Sequence, residues 1–116
     1  MSLDVYLQFD ANVERDKWDD RHEVYWANIT HNLTAMADVA GIYEVLWQPE
    51  QLGFDTAEQL IPLLVYGLEQ LKADPEKFSQ YNSPNGWGKY EHFVLFVKKY
   101  LEACREYPKA KIHVSR

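Results

Sequence analysis

Apolar and polar residues alternate without a break at the start of the chain. Leu3, Val5, Leu7 and Phe9 share one side, and Asp4, Tyr6 and Gln8 the other. That period of two predicts a strand with one face buried. The far end repeats it: Ala110, Ile112 and Val114 alternate with Lys109, Lys111 and His113, after Pro108 has closed off the preceding helix. Two short strands at opposite ends each need a hydrogen-bonding partner, so the simplest arrangement pairs them with each other as an antiparallel β-ribbon.

Between the strands the period lengthens. The segment from Asp10 to Glu23 carries six acids and three bases around Trp18, and reads as a loop or a helical lead-in. From about Val24, the residues Trp26, Ile29, Leu33, Met36, Ala37 and Ala40 fall on one stripe at about 100° per residue, which predicts a helix that Gly41 ends. Ile42, Val45 and Leu46 open a new stripe out of phase with it, so a second helical piece reaches Trp47 before Pro49. Asp55 and Glu58 are spaced like a capping box for the next helix, whose inner stripe is Ala57, Leu60, Ile61, Leu64, Leu68 and Leu71. Pro62 predicts a kink in it. Asp74 and Pro75 suit the N-cap and first position of a short turn through Phe78.

"SQYNSPNGWG", residues 79 to 88, gathers turn formers, and a last helix follows from about Trp87 to Tyr107. Its inner face is Tyr90, Phe93, Val94, Val97, Leu101 and Cys104; Phe96 and Tyr100 widen that face and Leu95 lies well outside it. An apolar arc so wide predicts burial on two sides, under the terminal strands or in a homo-oligomer interface. The expected fold is therefore mainly α, of the α+β class: a single domain over residues 1 to 116, with four to five helices and the terminal ribbon.

Composition fits a folded domain, since apolar residues make up 47% and charged residues 26%, with only five Gly and five Pro. The net charge of -6 argues against a nucleic-acid polymer as partner, because phosphate backbones are bound by clustered Lys and Arg. The charge is uneven: residues 98 to 116 carry six Lys or Arg against Glu102 and Glu106, and everything before them is strongly acidic. A solvated basic end or a steering field would each account for that split. Cys104 is the only cysteine, which rules out an internal disulfide and a Cys-based zinc cage within one chain. Neither a basic leader with a long apolar run nor a membrane-length apolar stretch is present, so the expected home is the cytoplasm and no membrane is expected as partner. Without export, the N-x-T triplets at Asn28 and Asn32 are chance matches to the glycosylation signal.

Those triplets lie in "NITHNLT", residues 28 to 34, the densest hydrogen-bonding stretch of the chain. On the helix expected there, Asn28 and Asn32 stack four residues apart at the border of the apolar stripe, with His31 further round. A carboxamide is costly to bury unpaired, so such a pair binds a neighbouring loop such as the Asn85 turn or a ligand, or else stands in solvent. His31 has the imidazole of a general base or metal ligand but lacks a second His four residues away, and the histidines at 22, 31, 92 and 113 are scattered. No Ser sits in a nucleophile elbow, Cys104 falls on an apolar face, and no glycine-rich phosphate loop appears. The remaining inventory is aromatic and amide: Tyr81, Asn82, Asn85, Trp87 and Tyr90 in and after the loop, opposite Asn28, Asn32 and Trp47. Rings flanked by carboxamides suit a flat polar ligand or a wet protein interface.

With "MSLDVYL", "NITHNLTAMADVAGIYEVLW", "PEQLG", "NGWGKYEHFVLFVKKYLEAC" and "IHVSR" taken together, nearly the whole chain resembles a group of small uncharacterised proteins of bacteria and their phages. The resemblance implies a bacterial or phage accessory protein and carries over no catalytic residue. The expectation is a non-enzymatic binder of a small polar or nucleotide-like ligand, with no cofactor. Its site would lie between Asn28, His31 and Asn32 on one side and Asn82, Asn85, Trp87 and Tyr90 on the other. The alternatives are a His-based or metal-assisted hydrolase and an adaptor that binds or inhibits a host protein.

Overall fold

The computed structural model describes residues 2–10, 21–82, 84, 86 and 88–116, excluding the side chains of Asp10, Arg21 and His22. The terminal strands form as their alternation predicts, β1 over Ser2–Asp10 and β3 over Lys111–Ser115. They pair antiparallel, from Asp4 opposite Ser115 to Gln8 opposite Lys111. Leu3, Val5 and Leu7 are fully buried on the inner face.

The ribbon is not a two-stranded one. A further strand, β2 over Arg21–Thr30, pairs with the other side of β1 and gives a three-stranded antiparallel sheet in the order β2-β1-β3. This corrects two expectations at once. The end of the charged connector is strand where it is described, and the helix expected from Val24 begins only after Thr30. Leu3 lies opposite Ile29, Val5 opposite Ala27 and Leu7 opposite Tyr25, so β2 shows its own period of two, with Tyr25, Ala27 and Ile29 inward. Trp26, expected in the core, stands opposite Tyr6 on the outer face and is 53% exposed. Residues 11–20, including Trp18, lie outside the described residues.

The helical period takes hold with a 3₁₀ turn at His31–Leu33 and α1 at Thr34–Val39, and it buries Leu33, Met36, Ala37 and Ala40 as predicted. Gly41 ends this piece at φ 82°, a conformation that favours glycine. Next comes α2, Tyr43–Trp47, and then a 3₁₀ turn at Pro49–Leu52. The long helix α3, Ala57–Ala73, runs on through Pro62. Its capping box uses Thr56 and Gln59, one residue beyond the pair expected: the Gln59 Oε1 accepts from the backbone N–H groups of Asp55 (2.7 Å) and Thr56 (3.0 Å). At α4, Pro75–Ser79, Asp74 caps as expected by accepting from the Lys77 N–H at 3.1 Å. The last helix, α5, covers Tyr90–Glu106 and makes five α-helices among the described residues.

α3 and α5 pack together under the sheet, where Leu60, Leu64, Phe93, Val97 and Cys104 close the core against Leu3, Val5 and Leu7. The segment leading into α3 then seals the outer side of β3, where the Ile112 N–H donates to Asp55 O and the Ala57 N–H to Ala110 O, each at 2.9 Å. β2 is left as the strand with an unpaired edge among the described residues. At the basic C-terminal end three solvent-exposed bases are paired: Lys109 with Glu58 (2.9 Å), Lys111 with Asp55 (3.6 Å) and Arg116 with Glu50 (3.0 Å). Exposed pairs of this kind contribute at most about 1 kcal/mol each. They fasten the tail to residues 50–58 and leave Lys99, further up α5, outside the network.

Candidate functional site

A cleft of about 1150 Å³ opens beside the free edge of β2. One wall is the inner side of that strand, with Tyr25, Ala27 and Ile29; the other is a stripe of α5, with His92, Leu95, Phe96 and Lys99. Those four residues are spaced i, i+3, i+4 and i+7, so they share one helix face. Phe96, one of the residues that widen the apolar arc, is buried at its border, while Leu95, 49% exposed, faces the cleft and not the core.

The two walls run in opposite directions. Tyr25 stacks on Tyr100 with ring centroids 5.9 Å apart and planes 9° apart, which puts the start of β2 beside the middle of α5. The strand then runs into the 3₁₀ turn near the start of α5, where Gly88 closes the end of the cleft. Gly88 has φ 96°, and a Cβ on it would lie 3.1 Å from Asn32 Cβ and Thr30 Cγ2. Both facts call for glycine, and the loop before α5 docks on the turn through it. The cleft therefore has a polar end, with Thr30, His31, Asn32, Gly88 and His92, and an opposite end with Tyr25, Phe96 and Lys99.

Of the residues expected at a site, Asn28, His31 and Asn32 all line this cleft, though not as a helical stack. Asn28 sits on β2, and its Nδ2 donates to Asp4 Oδ1 at 2.8 Å across the strand pair. The same oxygen accepts from Trp26 Nε1 at 3.3 Å. Asn32 belongs to the 3₁₀ turn, and its backbone N–H donates to Thr30 Oγ1 at 3.2 Å. Because strand and turn are not one helix, the two amides do not sit one turn apart. His31 packs edge-on to Trp47, with centroids 6.1 Å apart, and its buried Nε2 has no hydrogen-bond partner among the described residues. Burying such an atom unpaired is costly.

Asn82 and Tyr90 have other work and do not line the cleft. The Asn82 Oδ1 accepts from the Tyr90 N–H at 2.7 Å, and the Tyr90 hydroxyl donates to Leu71 O at 2.6 Å, tying α5 to α3. Asn85 and Trp87 lie outside the described residues. The lining residues that the sequence did not place at the site include Tyr25, His92, Leu95, Phe96 and Lys99. Their signal was present in the 92, 95, 96, 99 spacing, which turns polar at both ends.

His31 and His92 reach the same cleft, yet no carboxylate joins them among the described lining residues. Nor does any group of three or more His, Cys, Asp or Glu among the described residues stand where it could hold a metal ion.

Below the cleft, burial shapes the titration of the aromatic floor. Desolvation raises Tyr25 from 10.0 to about 12, helped by Cys104 and Glu102. Burial alone takes Cys104 from 9.0 to about 12, and burial chiefly holds Tyr100 well above its ordinary range. All these groups lose a proton more readily in the unfolded chain than in the fold. Their contribution is thus intact below pH 9 and is lost as pH climbs from 9 towards 12. Urea midpoints measured from pH 8 to pH 11 are expected to fall across that window, and a flat profile would contradict the burial of these groups.

The Tyr100 hydroxyl is fully buried without a hydrogen-bond partner among the described residues. Tyr100→Phe is therefore expected to leave stability unchanged or raise it by about 1 kcal/mol, as denaturant titration would show. A clear loss would mean that the hydroxyl has a bonded partner.

No protein-family model matches the chain, and no curated protein or solved structure matches it either.

Proposed function

We propose that this chain is a non-enzymatic binding protein that holds a small polar, nucleotide-like ligand in the cleft between β2 and α5. The observation that carries the proposal is the make-up of that space. A groove of about 1150 Å³ has ring and aliphatic surface along its walls and amide, hydroxyl and imidazole groups at one end. Sites for small molecules combine mostly apolar walls with a few placed polar groups in this way. The setting that goes with it is a cytoplasmic accessory protein of the bacterial and phage group that the sequence resembles.

A thermal-shift screen against nucleotides and cyclic dinucleotides tests the proposal. A compound at 100 times its Kd stabilises the fold by about 2.7 kcal/mol. Leu95→Glu should remove the shift while leaving the free protein's stability nearly unchanged, because Leu95 is half exposed and outside the core. Silence across the screen, or a shift that survives Leu95→Glu, counts against the cleft.

One observation favours a second reading, docking to another protein. Trp26, Tyr6 and His113 stand in one row across the outer face of the sheet, with the Tyr6 and His113 rings 5.4 Å apart. Exposed aromatics of this sort anchor protein interfaces. Pull-down with wild type and with Trp26→Ala separates this role from the cleft's.

A further inference from the structure

The chain has 18 acids against 12 Lys and Arg, yet no Asp or Glu is among the 15 described residues that line the cleft, while Lys99, His31 and His92 are. Asp4, bonded to the lining residue Asn28, stands on the outer face of the sheet, where its Oδ1 already accepts two N–H donors. In an acidic protein, an acid-free groove beside an ammonium group is where a negative group is best placed, since low-dielectric walls strengthen the attraction.

The two ends are not equivalent for an anion. The polar end lies near the first turn of α5, but there Asn82 has taken the Tyr90 N–H, and an acid stands near each end outside the lining, Glu91 at this one and Glu102 at the other. At the other end, Lys99 is the one Lys or Arg among the described lining residues, and it takes no part in the ion pairs at Lys109, Lys111 and Arg116. Lys99 is seven positions along the helix from His92, a rise of roughly 10 Å. Between them lie Leu95 and Phe96, an apolar surface facing Tyr25.

We infer that the cleft takes a nucleoside phosphate, with its phosphate at Lys99, its flat body along Leu95 and Phe96, and its hydrogen-bonding edge towards Asn32 and His92. This rests on the cleft being a ligand site at all, and it adds charge, length and direction to that reading. A neutral ring compound would leave Lys99 unused, and a cation would be repelled by it. A bare phosphate would leave the apolar middle uncovered.

Calorimetric titration with AMP, GMP, CMP and UMP, and with the four matching nucleosides, tests the inference. At least one monophosphate is expected to bind ten times more tightly than its own nucleoside. Lys99→Glu, checked for an unchanged circular dichroism spectrum, should abolish that tenfold advantage and leave nucleoside binding intact. Raising salt should weaken the monophosphate and not the nucleoside. Nucleosides that bind as tightly as their monophosphates, or a Lys99→Glu protein that keeps the advantage, would overturn the inference while leaving the cleft a ligand site. No binding by any of the eight compounds would overturn the inference and weigh against the ligand site as well.

Discussion

Replacing Gly67 by alanine is expected to lower the stability of the fold by about 2 kcal/mol, although alanine is the better helix former by roughly 1 kcal/mol. Gly67 lies in the middle of α3 and is buried. A Cβ there would fall inside contact distance of Ile42 Cγ2, 2.9 Å from Cδ1 and 3.3 Å from Cβ. Ile42 is fully buried just ahead of α2 and is branched at its own Cβ, so it can neither swing into solvent nor turn easily about χ1. The crowding must be relieved by moving backbone, which is why overpacking outweighs the gain in helix propensity. Ile42→Ala removes the two crowding methyl groups, so the double variant should lose less than the sum of the two single ones. Urea denaturation of the four proteins measures that coupling. A stabilised Gly67→Ala, or strictly additive losses, would contradict the close approach of α3 to residue 42.

The second large effect separates the two faces of the sheet. Leu7→Ala should cost about 3 kcal/mol, because Leu7 is fully buried on the central strand and its removal leaves a cavity between sheet and helices. Trp26→Ala should cost less than about 1 kcal/mol despite deleting a much larger side chain, since most of that ring is already in water and its bond to Asp4 is long and exposed. A helix from Val24 would reverse the contrast by placing Trp26 in the core. Denaturant midpoints for the two variants therefore test the strand assignment on which the cleft depends.

Local pattern was enough wherever an element's partner lay close by or its period was unambiguous. β1 and β3, the break at Gly41, the Asp74 cap, and the buried faces of α3 and α5 all follow from residues within one or two turns of each other, and the pairing of β1 with β3 follows from the need of each terminal strand for a partner. β2 did not yield to the same reasoning. Ile29 fits both a strand face and the helical stripe that truly begins at Leu33, and extending that stripe backwards carried it through Trp26. What decides the matter is a partner in another element, since β1 offers Leu3, Val5 and Leu7 to pair with Ile29, Ala27 and Tyr25. β-branched and aromatic residues at Val24, Tyr25, Trp26, Ile29 and Thr30 suit that pairing.

The site was partly legible for a related reason. Asn28, His31 and Asn32 do meet at one cleft, because β2 runs straight into the 3₁₀ turn, but a strand and a turn bring them there, not a helical stack. Asn82 and Tyr90 resemble ligand-binding groups in composition, and the structure uses them to fasten α5. The wide arc of α5 did announce a second buried or half-buried side. That its far border carries His92 and Lys99 gains meaning only once the edge of β2 is known to lie opposite.

The most direct test of the account is a map of backbone amide shifts in ¹⁵N-labelled protein titrated with the tightest-binding monophosphate. The cleft predicts changes concentrated at Tyr25, Ile29, His31, Asn32, Leu95 and Lys99, with Tyr6 and His113 on the outer face unmoved. Changes centred on Tyr6, Trp26 and His113, with the cleft silent, would contradict it.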